Sequence, residues 1–293
     1  MVSLKINKFS LRCVLLITIS APLTVFSQPS NNSVFGQFEL NIGSRPAVPY
    51  LPLNNYNTSL TDSGTGSQYT VPVSRHHIIP FNVLRAFYNR VSQQNALTQA
   101  RGFFGVFSNN LVYYASAGGS NCQIMGSDLV DAANLAEGQG LGITTGGGSS
   151  MAPGFDTFEQ FYAWLPGNLF IGPNNRSDDP MDRFESNARV VVGDENFNIL
   201  SRTYNNMIRY NNGDNSLLNS ITSDLSRIAN RRTVYSLRAG DWEFVNGRYR
   251  LRTTGKFTSQ ADDINKNYSN GNTCESFRPN LKSLLIHSII NDD

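Results

Sequence analysis

A chain of 293 residues with 24 Lys plus Arg against 22 Asp plus Glu carries a net charge of only +2, so no overall basic field is present and a nucleic-acid partner has to be held by a local patch. Beyond the first 27 residues, no stretch approaches the roughly 20 apolar positions that a membrane span requires, and no stable membrane association is expected. Histidine is scarce, at three residues, and two of the three are adjacent.

In chain order, Lys5, Lys8 and Arg12 lead into an apolar run from Cys13 to Phe26 that ends at small Ser27. This reads as a secretory signal over residues 1–27, and the expected location is secreted. Removing it takes away Cys13 and leaves Cys122 and Cys274, which are expected to pair as a disulfide in an oxidising compartment. Residues 28–68, rich in Asn, Ser, Pro and Gly, read as a polar, loosely packed leader with a short strand over 35–40. The segment "QYTVPV" alternates like a strand and delivers the chain to His76 and His77. Beyond Pro80, the apolar residues Phe81, Leu84, Phe87, Tyr88 and Val91 recur at helical spacing.

Residues 92–154 read as an insertion holding a helix over 127–137 and a glycine-rich loop from 138 onward. An aromatic helix with Phe158, Phe161, Tyr162 and Trp164 follows and ends before Pro166. "NLFI" is a short strand, "GPNNRSDDP" is a turn, and Pro180 suits the first turn of a next helix. Residues 196–210 and 215–230 have helical periodicity, and "WEFVNGRYRLR" is a hairpin signal with Asn246-Gly247 at its turn. His287 falls in an apolar tail, "LKSLLIHSII", read as a packed element. The fold class that follows is α+β, with short strands flanking both halves of a small ββα unit in a mainly helical domain over 69–293.

Hydrolysis of a phosphodiester near neutral pH needs a base to activate water and a cation to neutralise charge on the phosphate and leaving oxygen. Imidazole titrates close to that range, so His77 suits the base and His76, on the opposite side of an extended backbone, suits a metal ligand or a residue that orients its neighbour. The turn after the second strand concentrates the other groups. Asn174, Asn175, Asp178, Asp179 and Asp182 offer hard oxygens, Arg176 can grip a phosphate, and a helix start at Pro180 favours an anion. Asn168 can hold a loop through its side-chain amide. The structural alternatives are a polar corner for the His-His step and a helix cap for "DDP".

"RHHIIP", followed by "GNLF", a ligand-bearing turn and a helix, resembles the His-Asn-His or ββα-metal (His-Me finger) nuclease superfamily, which includes nuclease domains of bacterial polymorphic toxins and bacteriocins. The resemblance covers at best residues 69–190. It implies that His77 is the general base and Asn168 the loop-stabilising residue; Arg176, by its own chemistry, is placed with them as a catalytic group. It also implies that His76 ligates a divalent metal, Mg²⁺ first with Mn²⁺ or Zn²⁺ as alternatives. The last ligand is open among Asn174, Asn175, Asp178 and Asp182, with Asn175 and Asp178 placed first. Arg75 and Asn174 are the expected substrate contacts. About ninety residues separate His77 from Asn168, which implies an inserted subdomain, and no histidine follows Asn168 at the family's position. The expected function is a secreted metal-dependent endonuclease acting on DNA or RNA, a toxin in one version, with nucleic acid and an inhibitor protein as partners. The competing class is a secreted, non-enzymatic binding or structural protein whose Asn, Ser and Gly content makes a recognition surface.

Overall fold

The computed structural model describes residues 39–253 apart from 55, 57, 67–69 and 144–151. The expected signal over 1–27, Cys274 and His287 lie outside these residues, and so does most of the 35–40 strand. The fold is α+β: helices form the bulk, and the described strands make three two-stranded antiparallel ribbons. None of the described helices is long and apolar enough to cross a membrane.

The first ribbon is a minimal one, β1 (Leu60–Thr61) with β2 (Gly64–Thr65). Strand β3 (Val73–His77) carries the two histidines into α1 (Phe81–Gln93). Pro80 stands just before α1 with φ −57°, where its missing N–H is no loss, and Leu84, Phe87, Tyr88 and Val91 supply the buried face. A 3₁₀ turn then leads into α2 (Arg101–Ala117), followed by α3 (Cys122–Leu141) and α4 (Phe155–Ala163). Helix α3 continues through the glycines at 138 and 140, where a loop was expected; Gly140 lies against the Arg101 backbone of α2, so the small residue serves close helix packing. The four helices enclose an aromatic core in which Phe103, Phe104, Phe107, Phe158, Tyr162 and Tyr88 make edge and tilted ring contacts, each worth about 0.5–1.5 kcal/mol beyond its buried area.

Strand β4 (Leu169–Pro173) pairs with β3 in the register Val73↔Pro173 to His77↔Leu169. The chain then makes a long turn, a single helical turn α5 (Arg189–Val192), and the long pair α6 (Asp194–Asn211) and α7 (Leu218–Ala229). No helix starts at Pro180. Met181 takes φ +55°, Asp179 accepts the Met181 N–H, and the Glu185 N–H is drawn to the Ile78 carbonyl, so the backbone donors of this segment are spent outside a helix. The helix start expected to attract an anion is therefore absent at that point.

The expected hairpin forms as β5 (Trp242–Val245) and β6 (Arg248–Leu251). Asn246 and Gly247 have φ of +52° and +78°, the left-handed pair that a two-residue hairpin turn demands. The segment expected as a loose leader is packed over its described part, since Leu40, Tyr50, Leu53, Tyr56 and Leu60 are buried. The Tyr50 hydroxyl donates to the Trp164 carbonyl at 2.6 Å, and Arg75 lies over the Tyr50 ring.

Asp241, at the entrance to β5, is 1% exposed, and both its carboxylate oxygens lack a hydrogen-bond partner among the described residues; Arg238 is 3.8 Å away. Burial pushes its carboxyl up to about 6 from a usual value of 3.8, with Arg238 opposing. Between those values the folded chain holds the proton more tightly than the unfolded chain, so stability falls as pH rises through about 4 to 6. A shift of this size corresponds to about 2–3 kcal/mol. Asp241→Asn should therefore raise stability at pH 8 by about 2 kcal/mol and change it little at pH 4, as read by urea unfolding at the two pH values. Equal effects at both would show that the carboxylate is not the strained group.

Candidate functional site

Antiparallel pairing fixes where the histidines point. His76 sits opposite Phe170 and stacks on it at 5.3 Å, while His77 faces the other side and packs against Trp164 at 4.4 Å and Phe81 at 5.9 Å. Gly172 leaves room for this arrangement: a Cβ there would lie 2.6 Å from the Trp242 ring and 3.2 Å from the His76 ring. The loop after His77 is clamped by Asn168, which is fully buried. Its side-chain oxygen accepts the Ile79 N–H at 2.7 Å, and its amide donates to the Ile79 carbonyl at 2.8 Å. The Asn168 carbonyl also accepts the Ile78 N–H. Asn168→Ala should cost about 2–4 kcal/mol, because it leaves two buried backbone groups of Ile79 unpaired. A loss below about 1 kcal/mol in urea unfolding would mean the clamp is not needed.

Both histidines open onto one cavity of about 270 Å³. Arg75 and Arg176 line it, as do Asp179, Asp182 and Glu185 from the turn and Arg45 from the segment ahead of β1. The His77 Nε2 lies 3.0 Å from the Ala163 carbonyl, which can accept only an N–H; that places the proton on Nε2 and leaves Nδ1 with its lone pair. Burial holds the His77 imidazole down to about 3; the Ala163 carbonyl pulls the other way, and Arg45 and His76 add to the fall. The His76 Nε2 shares a hydrogen bond with the Ser74 hydroxyl at 3.2 Å, and its Nδ1 lies 3.9 Å from the Asp179 carboxylate. Burial and then Arg176 bring His76 down to about 4 against the pull of Asp179. Both rings are thus neutral at pH 7, as a proton acceptor and a metal ligand must be.

The turn sorts into two faces. Asp179 and Asp182 face the histidines, whereas Asn175 and Asp178, expected as metal ligands, face the β5–β6 hairpin. Asn175 donates to the Gly247 carbonyl at 2.9 Å and accepts from Arg248, and Asp178 accepts from the Leu251 N–H at 2.9 Å and from Arg176 Nε at 3.0 Å. The backbone ties the turn to the hairpin as well, the Tyr249 N–H donating to the Asn175 carbonyl at 2.9 Å and the Ser177 N–H to the Tyr249 carbonyl at 2.8 Å. Asn174, an expected substrate contact, is exposed, is absent from the cavity wall and gives its N–H to the Pro72 carbonyl. Arg75 lines the cavity yet points its guanidinium to the Leu51 carbonyl at 3.0 Å.

Arg176, expected to grip substrate, is 2% exposed and salt-bridged to the equally buried Glu185 at 2.7 Å, over the rings of Phe170 and Trp242. Burial works to lower its pKa, and Glu185 with Asp178 more than reverses this; Glu185 itself is raised by burial despite Arg176. One guanidinium nitrogen, Nη1, is buried and has no hydrogen-bond partner among the described residues. Sequence reasoning missed Arg45, which lies over Trp164 beside His77, and Glu185. No local pattern in "GSRPAVP" marks Arg45, while Glu185 was recoverable only as the buried partner of Arg176.

Among the described residues, no group of three or more His, Cys, Asp or Glu side chains is arranged to hold a metal ion. Of the donors lining the cavity, His76 and Asp179 lie 3.9 Å apart, and Asp182 lines it as well. No protein-family model matches the chain, and no solved structure matches it. The chain is similar to protein p9 of Acyrthosiphon pisum secondary endosymbiont phage 1, at 39% identity over 181 residues that cover 57% of this chain and 49% of that protein. The chain thus spans about half the length of the curated relative it matches.

Proposed function

We propose that the chain is a secreted, metal-dependent phosphodiester hydrolase of the ββα-metal type, acting on nucleic acid at the histidine cavity. One observation carries the reading. A single cavity receives a tautomerically fixed, neutral His77, the His76–Asp179 pair and the guanidinium groups of Arg45 and Arg176. Base, ligands and cations are the three things that phosphodiester hydrolysis requires.

His77 Nδ1 takes the proton from the attacking water while Nε2–H stays on the Ala163 carbonyl, so the ring keeps its orientation through the transfer. A base held down to about 3 is weak; burial is the main cause, Arg45 adds to it, and an entering phosphodiester offsets the Arg45 part. Arg45, which is exposed, and the buried guanidinium of Arg176 beside the cavity supply positive charge where the phosphate sits. His76 and Asp179 would hold a hydrated divalent cation, with water completing its shell as Mg²⁺ commonly prefers. Such a cation supplies charge neutralisation at the phosphate and the leaving oxygen. Asp179 thereby replaces Asp178 and Asn175 in the proposed ligand set.

Mn²⁺ binding followed by electron paramagnetic resonance tests the ligand assignment on the intact chain. His76→Ala and Asp179→Ala should each weaken Mn²⁺ binding by about tenfold or more, and Asp178→Asn should weaken it far less. A folded chain without affinity for Mn²⁺ or Mg²⁺ would favour the non-enzymatic binding protein. The proposed Cys122–Cys274 bond has its own check: native thiol titration of the secreted chain should find neither cysteine free, and two titrating thiols would refute it.

A further inference from the structure

A second cavity, of about 200 Å³, lies between the start of α6 and the end of α7, with Gly167 and Tyr235 closing its floor. Its unusual member is Arg231. The Arg231 guanidinium lies 3.7 Å over the Tyr235 ring, its Nε is shut off from solvent, and this nitrogen has no hydrogen-bond partner among the described residues. No ion pair to Arg231 forms among the described residues either, whereas Arg227 on the same wall has one. Arg227 is tied to Glu195 at 2.9 Å, Arg189 to Asp194 at 2.6 Å, and Arg238 approaches Asp241 at 3.8 Å. A partly buried cation without a counter-charge is costly, and an arrangement that keeps one is explained if an anion supplies the missing charge.

The walls say which anion. Arg227 and Arg231 present guanidinium groups, Asn230 presents an exposed amide, and the lone carboxylate on the wall, Glu195, is occupied by Arg227. More N–H donors converge than a single carboxylate can accept, whereas the oxygens of a phosphate suit a forked guanidinium flanked by further donors. Tyr235 keeps the guanidinium plane in place by stacking, which lowers the ordering cost of binding.

We propose that this cavity is a binding site for a phosphate group, with Arg231 as its principal contact, separate from the histidine cavity. The phosphate belongs either to a small free phosphate or to a nucleic-acid strand, and the proposal stands independently of the nuclease reading.

The test titrates inorganic phosphate, and separately a short oligothymidylate, into the full chain while following the Arg231 Nε–Hε resonance. Wild type should show a saturable shift with one or both probes, phosphate alone identifying a small ligand and the oligonucleotide alone a strand. Arg231→Gln, which lacks that resonance and is read by calorimetric titration alongside wild type, should weaken the binding by about tenfold or more. Asn230→Asp, at an exposed position that leaves folding intact, should weaken it comparably by placing a carboxylate against the guanidinium; this variant decides if Arg231→Gln does not fold. Arg45→Gln, in the histidine cavity, should leave the shift of the Arg231 resonance with inorganic phosphate unchanged. No shift with either probe, binding that persists in Asn230→Asp, or an inorganic-phosphate shift at Arg231 that is lost in Arg45→Gln would overturn the proposal.

Discussion

Arg176→Met is expected to lower the unfolding free energy by about 3–5 kcal/mol, the largest stability loss anticipated for a single substitution in the site. Glu185 is 1% exposed, and Arg176 is the only cation within ion-pair distance of it among the described residues, so the variant leaves a carboxylate buried without its counter-charge. The same guanidinium packs on Phe170 and Trp242 and holds Asp178, whose other oxygen accepts the Leu251 N–H, so the β5–β6 hairpin should loosen as well. The double variant Arg176→Met, Glu185→Gln should recover much of the loss, because removing both members of a buried pair is far less costly than removing one. Urea unfolding of wild type, both singles and the double gives the coupling directly, with hydrogen exchange in β5 and β6 as the local readout. A single-variant loss under about 1 kcal/mol would show that the pair does not organise the turn.

His77→Ala should lower turnover on nucleic acid by about 10² to 10⁴, the usual worth of a positioned base, with substrate affinity little changed. The comparison is made between chains of matched urea midpoint, since His77 also packs on Trp164 and bonds the Ala163 carbonyl. Arg45→Gln should act differently, raising KM more than it lowers kcat, because Arg45 is exposed and aimed at the incoming anion. Activity that falls only in proportion to lost folding in His77→Ala would remove His77 from the mechanism.

The elements that sequence made visible are those whose determinants are local. Helix α1 follows from Pro80 and a single apolar stripe, and the hairpin turn follows from Asn246-Gly247. Helix α2 escaped notice because glycines and polar residues break up "RGFFGVFSNNLVYYASA", although Phe103, Phe107, Leu111 and Tyr114 in fact keep helical spacing. The burial of residues 40–60 was hidden for another reason. Leu40, Tyr50 and Leu53 sit among prolines in irregular coil, and their partners, such as Trp164 and Asn89, lie far along the chain.

The site divides the same way. The histidine pair and the strand that leaves Asn168 are contiguous signals, so both were readable. Which acid of "SDDP" faces the histidines is decided by a hairpin more than sixty residues downstream, which captures Asp178 and Asn175 and leaves Asp179 to His76. Arg45 reaches the cavity from ahead of the first ribbon, a placement that no spacing rule encodes.

The most direct test of the account is cleavage of plasmid DNA and of a structured RNA by the purified chain in Mg²⁺, run in parallel with EDTA and with His77→Ala. Cleavage of at least one substrate is expected, abolished by EDTA and reduced by about 10² or more in His77→Ala. Cleavage that survives both treatments, or a folded wild-type chain that cuts neither substrate, would contradict it.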